Sequence, residues 1–171
     1  MFKSVNGGKL PTRGSKYSAC VDLFSNKDVT IGAGETKLIP LGVCIDETYI
    51  METVLGTIPH GYEASCDERY IDFMKSHYLQ LMLRSSLSKE LIIANGVGVV
   101  DLDFAQEIQL RVHNPIKMSH NKNIPDQYLL RPARIKKGDR VAQITLLEHK
   151  SHLFGIESEE ERTGGFGSTG K

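Results

Sequence analysis

Asp101 directly follows Val99-Val100, so a carboxylate closes a short apolar run. An acid so placed can take a proton from water as a general base, or it can cap a turn. Upstream, Arg84-Ser85-Ser86-Leu87 sets a cation and two hydroxyls where a strand would end. Those donors suit phosphate oxygens and suit solvent equally well. Asn95-Gly96-Val97-Gly98 puts two glycines in a strand context, which marks a hairpin or a close backbone approach to a ligand. Gly138-Asp139-Arg140-Val141-Ala142-Gln143 reads as a tight turn into a strand. Arg162 precedes Thr163-Gly164-Gly165-Phe166-Gly167-Ser168-Thr169-Gly170, where a guanidinium and unhindered backbone N–H groups could wrap a phosphate under an aromatic cover. Gly165 and Gly170-Lys171 match most of a GxxxxGK phosphate loop, but neither the following Ser or Thr nor a receiving helix is there, so that reading is set aside. His149 and His152 lie three apart without a supporting carboxylate pattern and read as solvated surface rather than metal ligands.

These residues must be positioned by a chain of 171 residues, 40% hydrophobic and 25% charged, a size that suits one domain with an ordinary core. Its 21 basic and 21 acidic side chains cancel, which argues against a nonspecific nucleic-acid coat. No stretch approaches the length of a membrane span, and Met1-Phe2-Lys3-Ser4 does not open a signal peptide. Cys20, Cys44 and Cys66 are odd in number and lack a CxxC, so reduced thiols and a cytoplasmic location (host cytoplasm if the source is viral) are expected.

Period-two alternation dominates. Leu79, Leu81 and Leu83 form one set, Ile108, Leu110 and Val112 a second, and Ile144 and Leu146 a third, each predicting a strand with one core face. Gly32-Ala33-Gly34, Ala94-Asn95-Gly96 and Lys136-Lys137-Gly138-Asp139 supply turns, and many short strands read as a sandwich or barrel. One segment departs. Ser65-Cys66-Asp67-Glu68 fits a capping box with Ser65 as N-cap. Tyr70, Phe73, Met74, His77 and Tyr78 follow at helical spacing, predicting a short helix at about 66–78. Residues 157–171 are acidic and then glycine-rich, which sets them apart from a domain over 1–156.

Taken in order, these clusters resemble the five motifs of the trimeric all-β dUTP pyrophosphatases (dUTPases). Ala19-Cys20-Val21-Asp22-Leu23-Phe24-Ser25 is similar to the first and Arg84-Ser85-Ser86-Leu87 to the second. Gly98-Val99-Val100-Asp101-Leu102-Asp103-Phe104, with Asn95 upstream, is similar to the third. Gly138 through Gln143 is similar to the fourth and Arg162 through Gly170 to the fifth. Ile58-Pro59-His60-Gly61-Tyr62 resembles a family turn.

The resemblance implies an all-β, distorted barrel or jelly-roll subunit in a homotrimer whose three sites lie between subunits. The 157–171 tail would close a neighbour's site. It implies Mg²⁺-dependent hydrolysis of dUTP to dUMP and pyrophosphate, which keeps uracil out of DNA and supplies dUMP for dTTP synthesis. Asp101 would be the general base, and Asp22 and Gln143 would hold the metal through water. Arg84, Ser85, Ser86 and Arg162 would donate to phosphates, and Gln143 would also be a substrate-binding residue. Asn95, Gly98, Val99, Val100 and Gln109 would frame uracil. Phe104 would lie under deoxyribose, and Phe166, Gly167 and Ser168 would close over the nucleotide.

The chain departs from the family pattern at several points. Cys20 and Ser86 stand where Gly is usual, Phe104 replaces Tyr, Ala105-Gln106 replaces a pair ending in Gly, and Arg162 lies one position nearer Phe166. Stretches at about 47–57, 63–78 and 115–127 are longer than the family norm. They are read as surface decoration, with a docking surface for a protein partner, and hence a regulatory role, as the alternative. A dCTP deaminase shares the fold and an R-S-S-L motif. Its catalytic Glu would fall at position 111, where this chain has Arg111.

Overall fold

The computed structural model describes residues 1–56, 67–118, 128–129 and 131–156. In chain order the elements are β1 (Phe2–Ser4), β2 (Thr12–Arg13), β3 (Val21–Phe24), β4 (Val29–Ile31), β5 (Thr36–Pro40), β6 (Val43–Ile45), α1 (Glu47–Leu55), α2 (Glu68–Ser76), β7 (His77–Leu83), β8 (Ile92–Ile93), β9 (Gly98–Asp101), β10 (Gln109–His113), β11 (Lys117–Met118), β12 (Tyr128–Leu129), β13 (Ala133–Ile135) and β14 (Arg140–Glu148). A 3-10 turn at Ser151–Phe154 follows.

The largest sheet has the order β2-β3-β14-β7-β9, and a second has the order β5-β10-β8; β1 pairs with β6, β4 with β13 and β11 with β12. Every one of these pairings is antiparallel. The alternating sets fall where period two requires. Leu79, Leu81, Leu110, Val112 and Ile144 are buried in one core with Leu23, Ile31, Ile39, Leu41 and Val43, against which Leu83 and Leu146 pack partly covered. Fully burying side chains of this size is worth about 1.5–3 kcal/mol each, so this shared interior is what holds the separate short strands together. Among the described residues, no helix is long and apolar enough to cross a membrane.

The inserted stretches correct the expectation of one helix. There are two, α1 and α2. Asp46 caps α1, its carboxylate accepting from Tyr49 N at 3.4 Å. The cap of α2 is Asp67, which accepts from Arg69 N at 2.9 Å, so the helix begins beyond the expected Ser65. It also ends sooner. His77 is already extended (φ −128°, ψ 153°), and His77 and Tyr78 belong to β7. Most of the apolar payload of these helices packs inside the subunit, while Tyr49 stays 50% exposed. Ile50 and Tyr70 are buried in the core, with Met51, Val54, Leu55, Phe73 and Met74 packed against it. The Tyr70 hydroxyl donates to Glu47 at 2.9 Å and joins the helices. Burial, reinforced by that carboxylate, pushes the Tyr70 phenol far above its ordinary pKa. Ser65, Cys66 and the Ile58–Tyr62 turn lie outside the described residues, as does most of 115–127.

Candidate active site

Leu23 faces the core, so its neighbour Asp22 projects from the opposite face of the large sheet, where it is 7% exposed. One carboxylate oxygen pairs with Arg84 and the other accepts from Arg140 Nη1 at 3.3 Å. Arg84 is held where β7 ends, its backbone N–H donating to Val141 O at 3.1 Å. Ser85 and Ser86 follow in an exposed turn.

Arg140 was not among the expected site residues. A register shift between Arg140 and Ala142 sets Arg140 opposite Phe24 and Ala142 opposite Leu23. Such a bulge re-aims a side chain. Here it turns Arg140 from the core face, which Ala142 occupies, to the face of Asp22. The sequence carries a trace of it: Val141 and Ala142 are adjacent and both fully buried, which strict alternation forbids. The turn before β14 is clamped from outside. Gly138 takes φ +90°, its N–H donates to Ser25 O at 2.8 Å, and Ser25 N–H donates to Asp139 O at 2.9 Å. The first and fourth motifs are thereby fastened together.

Gln143 lies level with Asp22 across the β3–β14 pairing, and Met82 continues that row on β7. Asp22, Arg84, Arg140, Gln143 and the two serines therefore meet at one end of the sheet. Asp101 does not join them. It closes β9 opposite Tyr78, four positions along β7 from Met82 and three strands from β3. With strands about 4.8 Å apart and about 3.3 Å per residue, it lies roughly 20 Å from Asp22 within one chain. Both stand on the same face of the sheet, which also carries Val99 (57% exposed) and Leu147 (36%).

The remaining candidates do not share one paired hairpin: β9 pairs with β7, whereas β8 and β10 pair with each other in the second sheet. Gly96 takes φ +70° in the turn, where Asn95 Nδ2 donates to Val97 O at 3.4 Å. Gly98 lies in close contact with its neighbour strand, since a Cβ there would lie 2.9 Å from both Leu81 Cβ and Leu81 O. Val99 points outward and Val100 packs on the core. Phe104 is only 6% exposed, its N–H donating to Asp101 O at 3.1 Å, so its ring is a floor rather than a projecting group. Gln109, half-buried, starts β10 in the other sheet opposite Pro40. Beside the turn an open cleft of about 430 Å³ is lined by Gln80–Leu83, Ser88, Leu91–Ile93, Gly96 and Val97. Arg162, Phe166, Gly167 and Ser168 lie outside the described residues.

Among the described residues, no three of His, Cys, Asp and Glu come together as a metal cage.

No family model matches the chain. Curated relatives do. The deoxyuridine 5'-triphosphate nucleotidohydrolase of Lactococcus lactis subsp. lactis is 30% identical over 171 residues, spanning 98% of this chain and 93% of that protein. The enzyme of the same name from Saccharomyces cerevisiae is 29% identical over 166 residues, spanning 94% and 86%. Among solved structures, a dUTPase from Streptococcus mutans superposes with a TM-score of 0.55 at 21% identity, covering 86% of this chain and 94% of that one. A mutant dUTPase from phage phi11 of S. aureus, described with the coordination of a structural Mg(II) ion, superposes with a TM-score of 0.60 at 18% identity, covering 96% and 98%. Those superpositions place this chain in the same all-β fold.

Proposed function

The chain belongs to the deoxyuridine 5'-triphosphate nucleotidohydrolase family, and we propose that it hydrolyses dUTP to dUMP and pyrophosphate at sites shared between subunits of a homotrimer. The observation that carries this reading is Asp22 holding Arg84 and Arg140 side by side, with Ser85 and Ser86 exposed beside them. Two guanidiniums on one carboxylate are pre-oriented donors, which makes them a ready cradle for the oxygens of a triphosphate.

Asp101 is the general base. It takes a proton from a water, whose oxygen bonds to the α-phosphorus. The bond from that phosphorus to the bridging oxygen breaks, and pyrophosphate leaves with the electron pair. The roughly 20 Å between Asp101 and the arginine pair supports a site assembled from different subunits. The exposed Val99 and Leu147 on that face suit cover by a second copy. Asp22 and Gln143 would hold, through water, a Mg²⁺ on the triphosphate, which would supply neutralisation of phosphate charge. Asn95, Gly98–Val100 and Gln109 frame uracil, Phe104 lies under the sugar, and Arg162, Phe166, Gly167 and Ser168 close over the nucleotide from another subunit. With most of their apolar side chains packed on the subunit's own core, the inserted helices lend little support to a purely regulatory role.

The test is pyrophosphate release measured across dUTP, dTTP, dCTP and UTP, with and without Mg²⁺. Release from dUTP alone, requiring the metal, is expected. Equal release from dTTP or UTP would remove the assignment of residues 95–109 as a uracil and deoxyribose reader, and ammonia from dCTP would replace the reaction.

A further inference from the structure

Two segments distant in sequence converge on the side chain of Glu107. Oε1 accepts from Gly42 N at 2.7 Å and Oε2 accepts from Asn6 Nδ2 at 3.0 Å. Both donors sit on backbone that most residues avoid, Asn6 at φ 53° and Gly42 at φ +66°. The two segments also touch directly. A Cβ on Gly8 would lie 2.1 Å from Gly42 O, and one on Gly42 would lie 2.5 Å from Gly8 Cα. Asn26 braces the same junction, its Nδ2 donating to Asn6 O at 3.1 Å and its backbone N–H to Pro40 O at 2.8 Å. A non-glycine left-handed residue beside a bare backbone contact is unusual for an ordinary surface turn, and here the two segments present two donors to one carboxylate.

That carboxylate lies three residues beyond Phe104, at the rear of the 102–108 loop. The front of the loop is held by Phe104 N–H on Asp101 O, and its rear by Ile108 N–H on Val43 O at 2.8 Å. Between these anchors Ala105 and Gln106 are exposed, and Glu107 adds a side-chain hold three residues from Phe104. We propose that Glu107 is a positioning residue for sugar selectivity: by pinning the rear of the loop to Gly42 and Asn6 it holds Phe104 close enough to exclude a 2′-hydroxyl. This deepens the proposed function and rests on its placing of Phe104 under the sugar. A loosened loop lets the ring drop by a fraction of an ångström, and a ribonucleotide then fits.

The test compares kcat/KM for dUTP and UTP in the wild type, Glu107→Ala and Asn6→Gly. Glycine keeps the left-handed backbone at position 6 and removes only the donor. In Glu107→Ala the preference for dUTP over UTP is expected to fall by about tenfold or more through a rise in UTP turnover, with kcat for dUTP within about threefold of wild type. Asn6→Gly is expected to move the same way by less. A gain of UTP turnover is something general destabilisation does not produce. Wild-type discrimination retained in both variants would overturn this inference alone, and retained in Asn6→Gly would do so if Glu107→Ala does not fold. A wild type that hydrolyses neither nucleotide would overturn the parent reading instead.

Discussion

Asp22 holds the Arg84 guanidinium on one carboxylate oxygen, tying the end of β7 to β3 across the intervening β14. Arg140 takes the other oxygen, so a single acid orients two cations that would otherwise repel. In Asp22→Asn the amide still occupies the space, but one oxygen becomes a donor facing a guanidinium. Losing a hydrogen bond between charged groups costs about 1.5–3 kcal/mol, which corresponds to a fall in kcat/KM for dUTP of roughly 10–100-fold. Steady-state kinetics beside a melting curve checks this, because a purely structural Asp22 would lower the melting temperature and leave kcat/KM per folded enzyme unchanged.

The separation of Asp101 from the arginine pair yields a complementation test. Asp101→Asn alone should cut turnover by about 10²–10⁴ while a nonhydrolysable dUTP analogue still binds. Arg84→Ala should be nearly inactive for a different reason. When equal amounts of the two variants are unfolded together and reassembled, a ring joining Asp101 of one subunit to Arg84 of the next should recover about one quarter of wild-type activity. If each chain carried a whole site, mixing would recover nothing.

Gly98 is where the base-bearing strand lies against β7. A methyl at position 98 would meet Leu81 Cβ and O at 2.9 Å, and the oxygen belongs to backbone that cannot swing away. Overpacking of this kind costs about 1–3 kcal/mol. Gly98→Ala should therefore lower the melting temperature and displace β9, so that kcat falls more than the loss of folded protein explains. Circular dichroism melts and activity per folded molecule separate the two effects.

Which parts were legible in the sequence follows from how local each cause is. Alternation at Leu79–Leu83, Ile108–Val112 and Ile144–Leu146 reports burial directly, so those strands and their core faces could be read off. The capping pattern at Ser65–Glu68 offered two acceptors, and Asp67 took the role because its carboxylate also grips the Arg69 guanidinium, with Nη2 at 2.8 Å. The spacing from Phe73 to His77 and Tyr78 continued to look helical because a helix and the strand after it can bury neighbouring residues in the same core. Helix α1 escaped notice among Thr48, Thr53 and Val54, weak helix formers, although Asp46 stood at its start. Arg140 was missed because a bulge changes the facing of a side chain without changing its identity. Asp22, Arg84 and Asp101 were legible as residues through the family resemblance, but their spacing in the fold depends on strand order and register, which no local pattern encodes.

Tyr70 connects the inserted helices to the core, and its predicted behaviour can be given a sign. The folded state holds the phenol neutral, buried and donating to Glu47, with its pKa raised, whereas the unfolded chain ionises near the ordinary tyrosine value of about 10. Between those two values the unfolded state binds fewer protons, so stability falls as pH rises. Below about pH 9 this contribution is fully present, and it drains away as pH climbs through 10 and beyond. Tyr70→Phe should cost about 1 kcal/mol at neutral pH through loss of the hydrogen bond to Glu47. The variant should also show a shallower decline between about pH 9 and 11, so that the gap to wild type narrows with alkalinity. Urea denaturation across that range measures both. A gap that stays constant with pH would show that the buried hydroxyl does not govern the alkaline loss, and a gap that widens would reverse the sign of the coupling.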